Sequence, residues 1–442
     1  MLSIAIGVGM ASLDTAICNT ALPAMAVQLH ATAASTVWIV SAYQLAMIAT
    51  LLPLAAFSEI IGYRRTFLAG LILFTVASVG CAMASSLPIL IIARLLQGLG
   101  GSAIMSVNGA LLRTIYPAQQ LGRGFGTNAM VVAIGFTIGP SLASLILSLG
   151  SWRWLFAINL PLGLAAVWLA LRSIPRATLR ASAFDLTAAL CCMGALGLLM
   201  FSLDDAAHAA NGWRLVGELG LALFLLGVLL RRESGRTAPM LPVDLFRLPL
   251  FSLSALTAVL TFATQGLAFV GLPFYFEHTL GRAPIETGFL MTPWAVAVGV
   301  MAPIAGRLSD RYPPGLLGGI GLAILALGIV SLFLLPEQAS ALQITIRMIV
   351  CGIGFGFFQA PNLKAIMSSA PTRRSGGASG IVATARLTGQ ATGTALVAFC
   401  LIQFGQRGPS AALALAALFA AIGCIVSFSR LLVRPQLPST AT

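Results

Sequence analysis

The sequence predicts an all-α integral membrane protein of fourteen transmembrane helices, and three observations carry that prediction. Hydrophobic residues make up 58% of the 442 and charged residues 8%, against roughly 25% charged in ordinary soluble domains. The apolar residues run in continuous stretches of about twenty, the length a helix needs to cross a hydrocarbon layer about 30 Å thick. The basic residues crowd into every second connection, as they do in a chain threaded back and forth across a bilayer. A β-barrel would need segments of about ten residues with alternating polarity, and these stretches do not alternate.

The stretches lie near 3–26, 36–57, 66–84, 87–112, 122–148, 154–172, 185–203, 213–231, 250–276, 286–305, 315–335, 341–363, 377–403 and 410–432. With both termini placed in the cytoplasm, eighteen of the 25 basic residues fall on that side, from Arg64 and Arg65 through Arg176, Arg180, Arg236, Lys364, Arg373 and Arg374 to Arg430 and Arg434. The outer side has Arg153, Arg214, Arg282 and Arg407, and only Arg94, Arg347 and Arg386 fall within spans. The net charge of +13 is thus a topology signal and not a nucleic-acid footprint. The location it implies is the cell's inner (plasma) membrane. Trp38, Trp152, Trp154 and Trp213 fall at outer span ends, where an amphipathic ring suits the interface. The first stretch lacks a basic leader and is too long for the core of a signal peptide. All seven cysteines lie within spans, at spacings that suggest neither a metal site nor a disulfide framework.

Connections are short except "RRESGRTAPMLPVDLFRLPL" between stretches eight and nine, which reads as a cytoplasmic linker with Pro239, Pro242 and Pro249. An internal repeat flanks it. "AAFSEIIGYRR" (55–65) and "AGRLSDRYP" (305–313) each place an acid and then arginines at the end of the second helix of a series. "RLLQGLG" from Arg94 is echoed by "RMIVCGIG" from Arg347 on the fourth. The implied plan is a six-helix bundle over 1–172, two inserted helices over 173–249 and a second bundle over 250–442. Repeated halves around a midplane site are common in secondary transporters.

The residue that needs explaining is Asp14, the only charged side chain between Met1 and Leu29. It lies near mid-membrane, where a charge costs roughly 2.5–3.5 kcal/mol on insertion scales. A group whose ionised form is that expensive suits proton carriage. Arg94 is the natural partner. Gln97, Gly98 and Gly101 follow it at i+3, i+4 and i+7, giving one helix face that combines polarity with close packing. A static ion pair that titrates nothing is the competing reading, and for Arg347 and Arg386 the structural reading is preferred. Asn19, Tyr43, Gln44, Gln97, Asn108, Gln265 and Gln359 are polar residues within spans that suit a substrate cavity or interhelical hydrogen bonds. Glu218, Glu277 and Glu286 lie near outer ends and rank below Asp14.

Other chemistry is disfavoured. The single lysine, Lys364, has no glycine-rich approach, so no phosphate loop and no ATP use are expected. His30, His208 and His278 are scattered, and the glycine-rich runs sit inside spans and follow no strand. No enzyme, cofactor, metal or nucleic-acid partner is implied. The expected partners are a small-molecule substrate, protons and the lipid bilayer, and the sequence does not say whether a periplasmic adaptor takes part.

At these residues the chain resembles the major facilitator superfamily, and within it the fourteen-helix branch of drug:proton antiporters. "LDTAICNTALP" is similar to that branch's first-helix signature at Leu13, Asp14, Ile17, Asn19, Ala21, Leu22 and Pro23. "ARLLQGLGGSA" resembles the fourth-helix motif through Arg94, Gln97, Gly98 and Gly100. "GFTIGPSLAS" resembles the antiporter motif of the fifth helix through Gly135, Gly139 and Pro140, with Ala143 and Ser144 replacing its closing glycines. "SWRWLFAINLPLG" and "ARLTGQATGTAL" resemble sixth- and thirteenth-helix segments. The loop motif survives as Glu59, Gly62, Arg64 and Arg65, with Ala55 and Ile60 off pattern, and its repeat as Gly306, Asp310 and Arg311. The resemblance implies proton-coupled export of lipophilic or amphipathic compounds by alternating access. Asp14 and Arg94 would couple the proton, and the two acid–arginine clusters would latch the bundles at the cytoplasmic gate. A transporter for one metabolite, or a membrane anchor or receptor subunit of a larger export assembly, are the alternatives.

Overall fold

The structure, a computed structural model, describes residues 1–116, 121–174, 185–207, 212–233, 243–336, 338–370 and 375–432. Thirteen helical stretches among them are long and apolar enough to cross a membrane, and the last, Gly380–Leu432, holds two helices. The fourteen are α1 (Leu2–Gln28), α2 (Trp38–Ile61), α3 (Tyr63–Met83), α4 (Leu87–Ile115), α5 (Leu121–Leu149), α6 (Arg153–Ala157 and Asn159–Ser173), α7 (Leu186–Ala207) and α8 (Gly212–Glu233). They continue with α9 (Pro249–Phe274), α10 (Pro284–Leu308), α11 (Pro314–Phe333), α12 (Ala341–Ser369), α13 (Ser375–Phe404) and α14 (Gly408–Ser429). Much of the long linker lies outside the described residues, as do Arg176, Arg180, Arg236, Arg373, Arg374 and Arg434.

Local chemistry sets the helix ends. α4, α9, α10, α11 and α14 begin with proline in the first turn, where its missing N–H has no intrahelical partner to lose. α12 starts on a reciprocal box between Ser340 and Gln343. Gly62 alone joins α2 to α3 at φ +98°, a conformation that side chains resist. Within the spans, hydroxyls such as those of Thr20, Thr50, Thr75 and Thr261 donate to the carbonyl one turn back, which satisfies them away from water.

Glycines decide which helices touch. A Cβ on Gly98 would stand 2.5 Å from the Tyr43 carbonyl of α2, and one on Gly100 2.5 Å from the Phe74 nitrogen of α3. Gly352 and Gly354 of α12 press in the same way on Trp294 of α10 and Leu325 of α11. Gly135 and Gly139 seat α5 on α1 at Leu13 and Ala16, while Gly389 and Gly393 seat α13 on α9. Each pair is 254 residues apart, so the repeat is structural as well as sequential. That register corrects the echo of Arg94 with Arg347. Met348 occupies the place of Arg94, and Arg347 is turned away by one residue, about 100° of helix.

α1–α6 pack as one set and α9–α14 as a second, while α7 pairs with α8 and touches both α2 and α13. Ile17, Leu22 and Met25 of α1 share one buried apolar cluster with Leu267, Val270 and Trp294, so the sets meet at the end opposite Gly62. There Ser141 of α5 lies 2.5 Å from Thr292 of α10, and Ser144 donates to the Pro284 carbonyl at 2.9 Å.

Three expectations about surface residues are corrected. Trp152 is fully buried, stacked edge-on to Phe156, because the chain doubles back there to begin α6. Trp154 and Trp213 do stay exposed, at 65% and 85%. Arg430 is not a solvated loop charge: it is buried and donates to Ser254 and Asn362 at 3.1 and 2.7 Å. Lys364 belongs to α12 and not to a connection.

Candidate functional site

Asp14 sits on α1 inside the first set, 2% exposed, and Arg94 of α4 is fully buried beside it. Arg94 Nη1 donates to Asp14 Oδ2 at 2.5 Å. The other carboxylate oxygen, Oδ1, accepts from Gln97 Nε2 and Asn159 Nδ2, both at 2.9 Å. The same two amides also donate to Ser78 Oγ, at 2.8 and 3.3 Å, and that hydroxyl donates on to the Phe74 carbonyl. Arg94 Nε reaches the Ile39 carbonyl at 3.0 Å, its Nη1 also meets Gln97 Oε1 at 2.6 Å, and its guanidinium lies 4.3 Å from the centre of the Tyr43 ring. One carboxylate thereby ties together α1, α2, α3, α4 and α6. In a dry site this geometry stabilises the ion pair only as a unit, since removing one partner strands a buried charge at a cost of about 3–5 kcal/mol.

Two small adjoining cavities lie between the two sets and share Thr15, Gln44, Phe136 and Gln390. Asn19, Gln265 and Phe269 line the first, and Tyr43, Met105 and Arg386 line the second. Asp14 lines neither. Its chain neighbour Thr15 lines both, and Tyr43 separates the cavity from Arg94, so the ion pair is one side chain behind the wall. Asn19 Oδ1 and Gln44 Oε1 are buried acceptors with no hydrogen-bond partner.

Of the other residues singled out from sequence, Gln97 lies in the Asp14 network and not on the cavity wall. Gln359 is exposed on α12, and Asn108, with an unpartnered buried oxygen, is on neither cavity wall. Gly135, Gly139 and Pro140 are buried at the α1–α5 and α5–α10 contacts, with the Pro140 carbonyl against Gly288. The charge clusters differ from expectation. Glu59 is exposed and makes no ion pair with Arg64 or Arg65 among the described residues, and Arg64 donates instead to the Leu171 carbonyl at 2.7 Å. Asp310 pairs with Lys364 at 2.6 Å and not with Arg307 or Arg311. Both observed contacts stay within one helix set, so neither latches the two together here. Gly306 meets only Ala360, at 3.8 Å from an added Cβ.

Sequence reasoning missed Asn159 as a partner of Asp14, Ser78 as the acceptor shared by the Gln97 and Asn159 amides, and Thr15, Gln390 and Thr394 on the cavity wall. Asn159 is the one whose signal was present, an amide inside an apolar span. Arg386, for which the structural reading was preferred, lies on the wall of the larger cavity.

The Major Facilitator Superfamily model matches residues 4–394, and again 254–441. The chain belongs to that superfamily. It is a family of secondary transporters and not of enzymes, and the doubled match fits the repeat seen in the glycine contacts. The chain is 48% identical over 434 residues to the uncharacterized transporter YebQ of Escherichia coli, covering 98% of this chain and 95% of that one. It is 28% identical over 397 residues to the riboflavin transporter RibZ of Clostridioides difficile, covering 89% and 86%. It is 31% identical over 404 residues to the tetracenomycin C resistance and export protein of Streptomyces glaucescens, covering 90% and 74%. Among solved structures, a POT family transporter superposes with a TM-score of 0.72 at 16% identity, covering 98% and 96%, which shows a shared fold.

Proposed function

We propose that this facilitator is a proton-coupled antiporter of the fourteen-helix drug-export type, which expels lipophilic or amphipathic organic compounds by alternating access. The observation that carries the reading is a fully buried carboxylate–guanidinium pair one side chain behind a cavity set between two repeated helix sets. Residues 1–172 and 250–432 are the moving units, with α7 and α8 peripheral and both termini cytoplasmic. In that orientation the α5–α10 contact lies towards the outer side. Protonation of Asp14 from outside loosens Arg94 and favours the inward return, and release inside restores the pair and the substrate-ready state. Tyr43 and Thr15 are the layer through which cavity occupancy is felt by the pair. The membrane potential supplies about 2.3 kcal/mol per charge per 100 mV, roughly a 50-fold concentration ratio.

The resemblance to a tetracenomycin exporter supports drug export, and the resemblance to a riboflavin transporter favours a second reading, transport of one metabolite. Purified protein in liposomes with an imposed pH gradient separates them. Several unrelated lipophilic compounds should each release protons through the protein. A response to a single compound would establish the metabolite reading, and transport with no proton movement would end the coupling claim.

A further inference from the structure

The central cavity carries one formal charge, and it is positive. Arg386 of α13 is partly buried on the wall of the larger cavity beside Tyr43, Gln44 and Gln390. Its Nε is a buried donor with no hydrogen-bond partner, and no carboxylate pairs with it among the described residues. Neither cavity has an acid on its wall. Asp14, the nearby candidate to balance it, is occupied by Arg94, Gln97 and Asn159. A partly buried guanidinium with one donor unsatisfied and no counter-ion carries a cost, and a ligand bearing an anion removes it. Guanidinium is also the side chain best shaped for a carboxylate, offering parallel donors.

The rest of the wall fits the same kind of molecule. Phe136 and Phe269 supply aromatic surface, and the unpartnered oxygens of Asn19 and Gln44 call for a ligand that also donates hydrogen bonds.

Taking the cavity as the transport site, we infer that its preferred substrates are aromatic or lipophilic acids, held by their anionic group at Arg386, and not lipophilic cations. The inference rests on the cavity being the site of transport but not on Asp14 carrying the proton.

The test uses the full-length protein in detergent and three probes of matched size: a lipophilic aromatic carboxylate that also carries an amide N–H, its methyl ester, and a quaternary ammonium analogue. Binding is read from ligand-induced thermal stabilisation and titrated to an affinity. The carboxylate should bind the unmodified protein at least about tenfold more tightly than either analogue. Arg386→Gln should lose that advantage while still binding the ester as before, which shows that the variant is folded. Arg386→Lys should keep part of it. Equal binding of the three probes, no binding by any, preference for the ammonium compound, or an unchanged carboxylate affinity in Arg386→Gln each overturn the inference. Carboxylate binding without proton movement in liposomes would leave the inference standing and remove the coupling mechanism. Proton-linked export of cations would do the reverse.

Discussion

Both oxygens of Asp14 are already engaged, Oδ2 by a cation and Oδ1 by two neutral amides. Arg94→Met leaves that carboxylate unpaired and should destabilise the protein by about 3–5 kcal/mol. Combining it with Asp14→Asn should recover most of the loss, because two neutral groups replace a stranded charge. Thermal unfolding of the two single variants and the double variant measures this coupling, and additive losses would show that the pair is not formed. Asn159→Leu removes one neutral donor and should cost about 1–3 kcal/mol; unchanged unfolding would place Asn159 elsewhere. Asp14 and Arg94 were legible because a charge inside an apolar run stands out against its neighbours. Ser78 was not, since a hydroxyl in a span usually bonds the carbonyl one turn back, and Asn159 stood out only as a lone amide, with nothing in the sequence to say which helix it meets.

α5 rests on α1 through Gly139, where an added Cβ would collide with the Ala16 methyl. Gly139→Leu should force the helices apart at a cost of about 1–3 kcal/mol and abolish transport while the protein still reaches the membrane. Gly217→Ala on α8, where an added Cβ meets nothing within 4 Å, should leave transport unchanged. Transport assays beside surface-exposure controls compare the two, and equal behaviour would mean that the α1–α5 contact is not made. The spans themselves were readable because a continuous apolar run of helix length has one low-energy solution in a bilayer. Trp152 was misplaced because sequence gives depth along a helix but not which way a side chain turns. The Arg94–Arg347 echo failed for the same reason, since a one-residue slip rotates a helical side chain by about 100° and only the glycine contacts fix the register.

The two helix sets share their packing but not their chemistry. The 254-residue register that matches Gly98 to Gly352 puts Ala268 at the place of Asp14 and Met348 at that of Arg94, both fully buried. One half thus holds the ion pair and the other brings Arg386 to the cavity. If the halves rock against each other, Ser141 and Thr292, with their hydroxyls 2.5 Å apart, must separate during each cycle. Ser141→Cys with Thr292→Cys should form a disulfide on oxidation and stop transport, and reductant should restore it. Undiminished transport by the fully cross-linked protein would show that this contact does not open. The most direct measurement is of Asp14→Asn in proteoliposomes, with substrate counterflow and substrate-driven proton movement recorded on the same preparation. Counterflow that persists while proton movement disappears is the expected result; proton movement equal to that of the unmodified protein would remove Asp14 from the coupling mechanism.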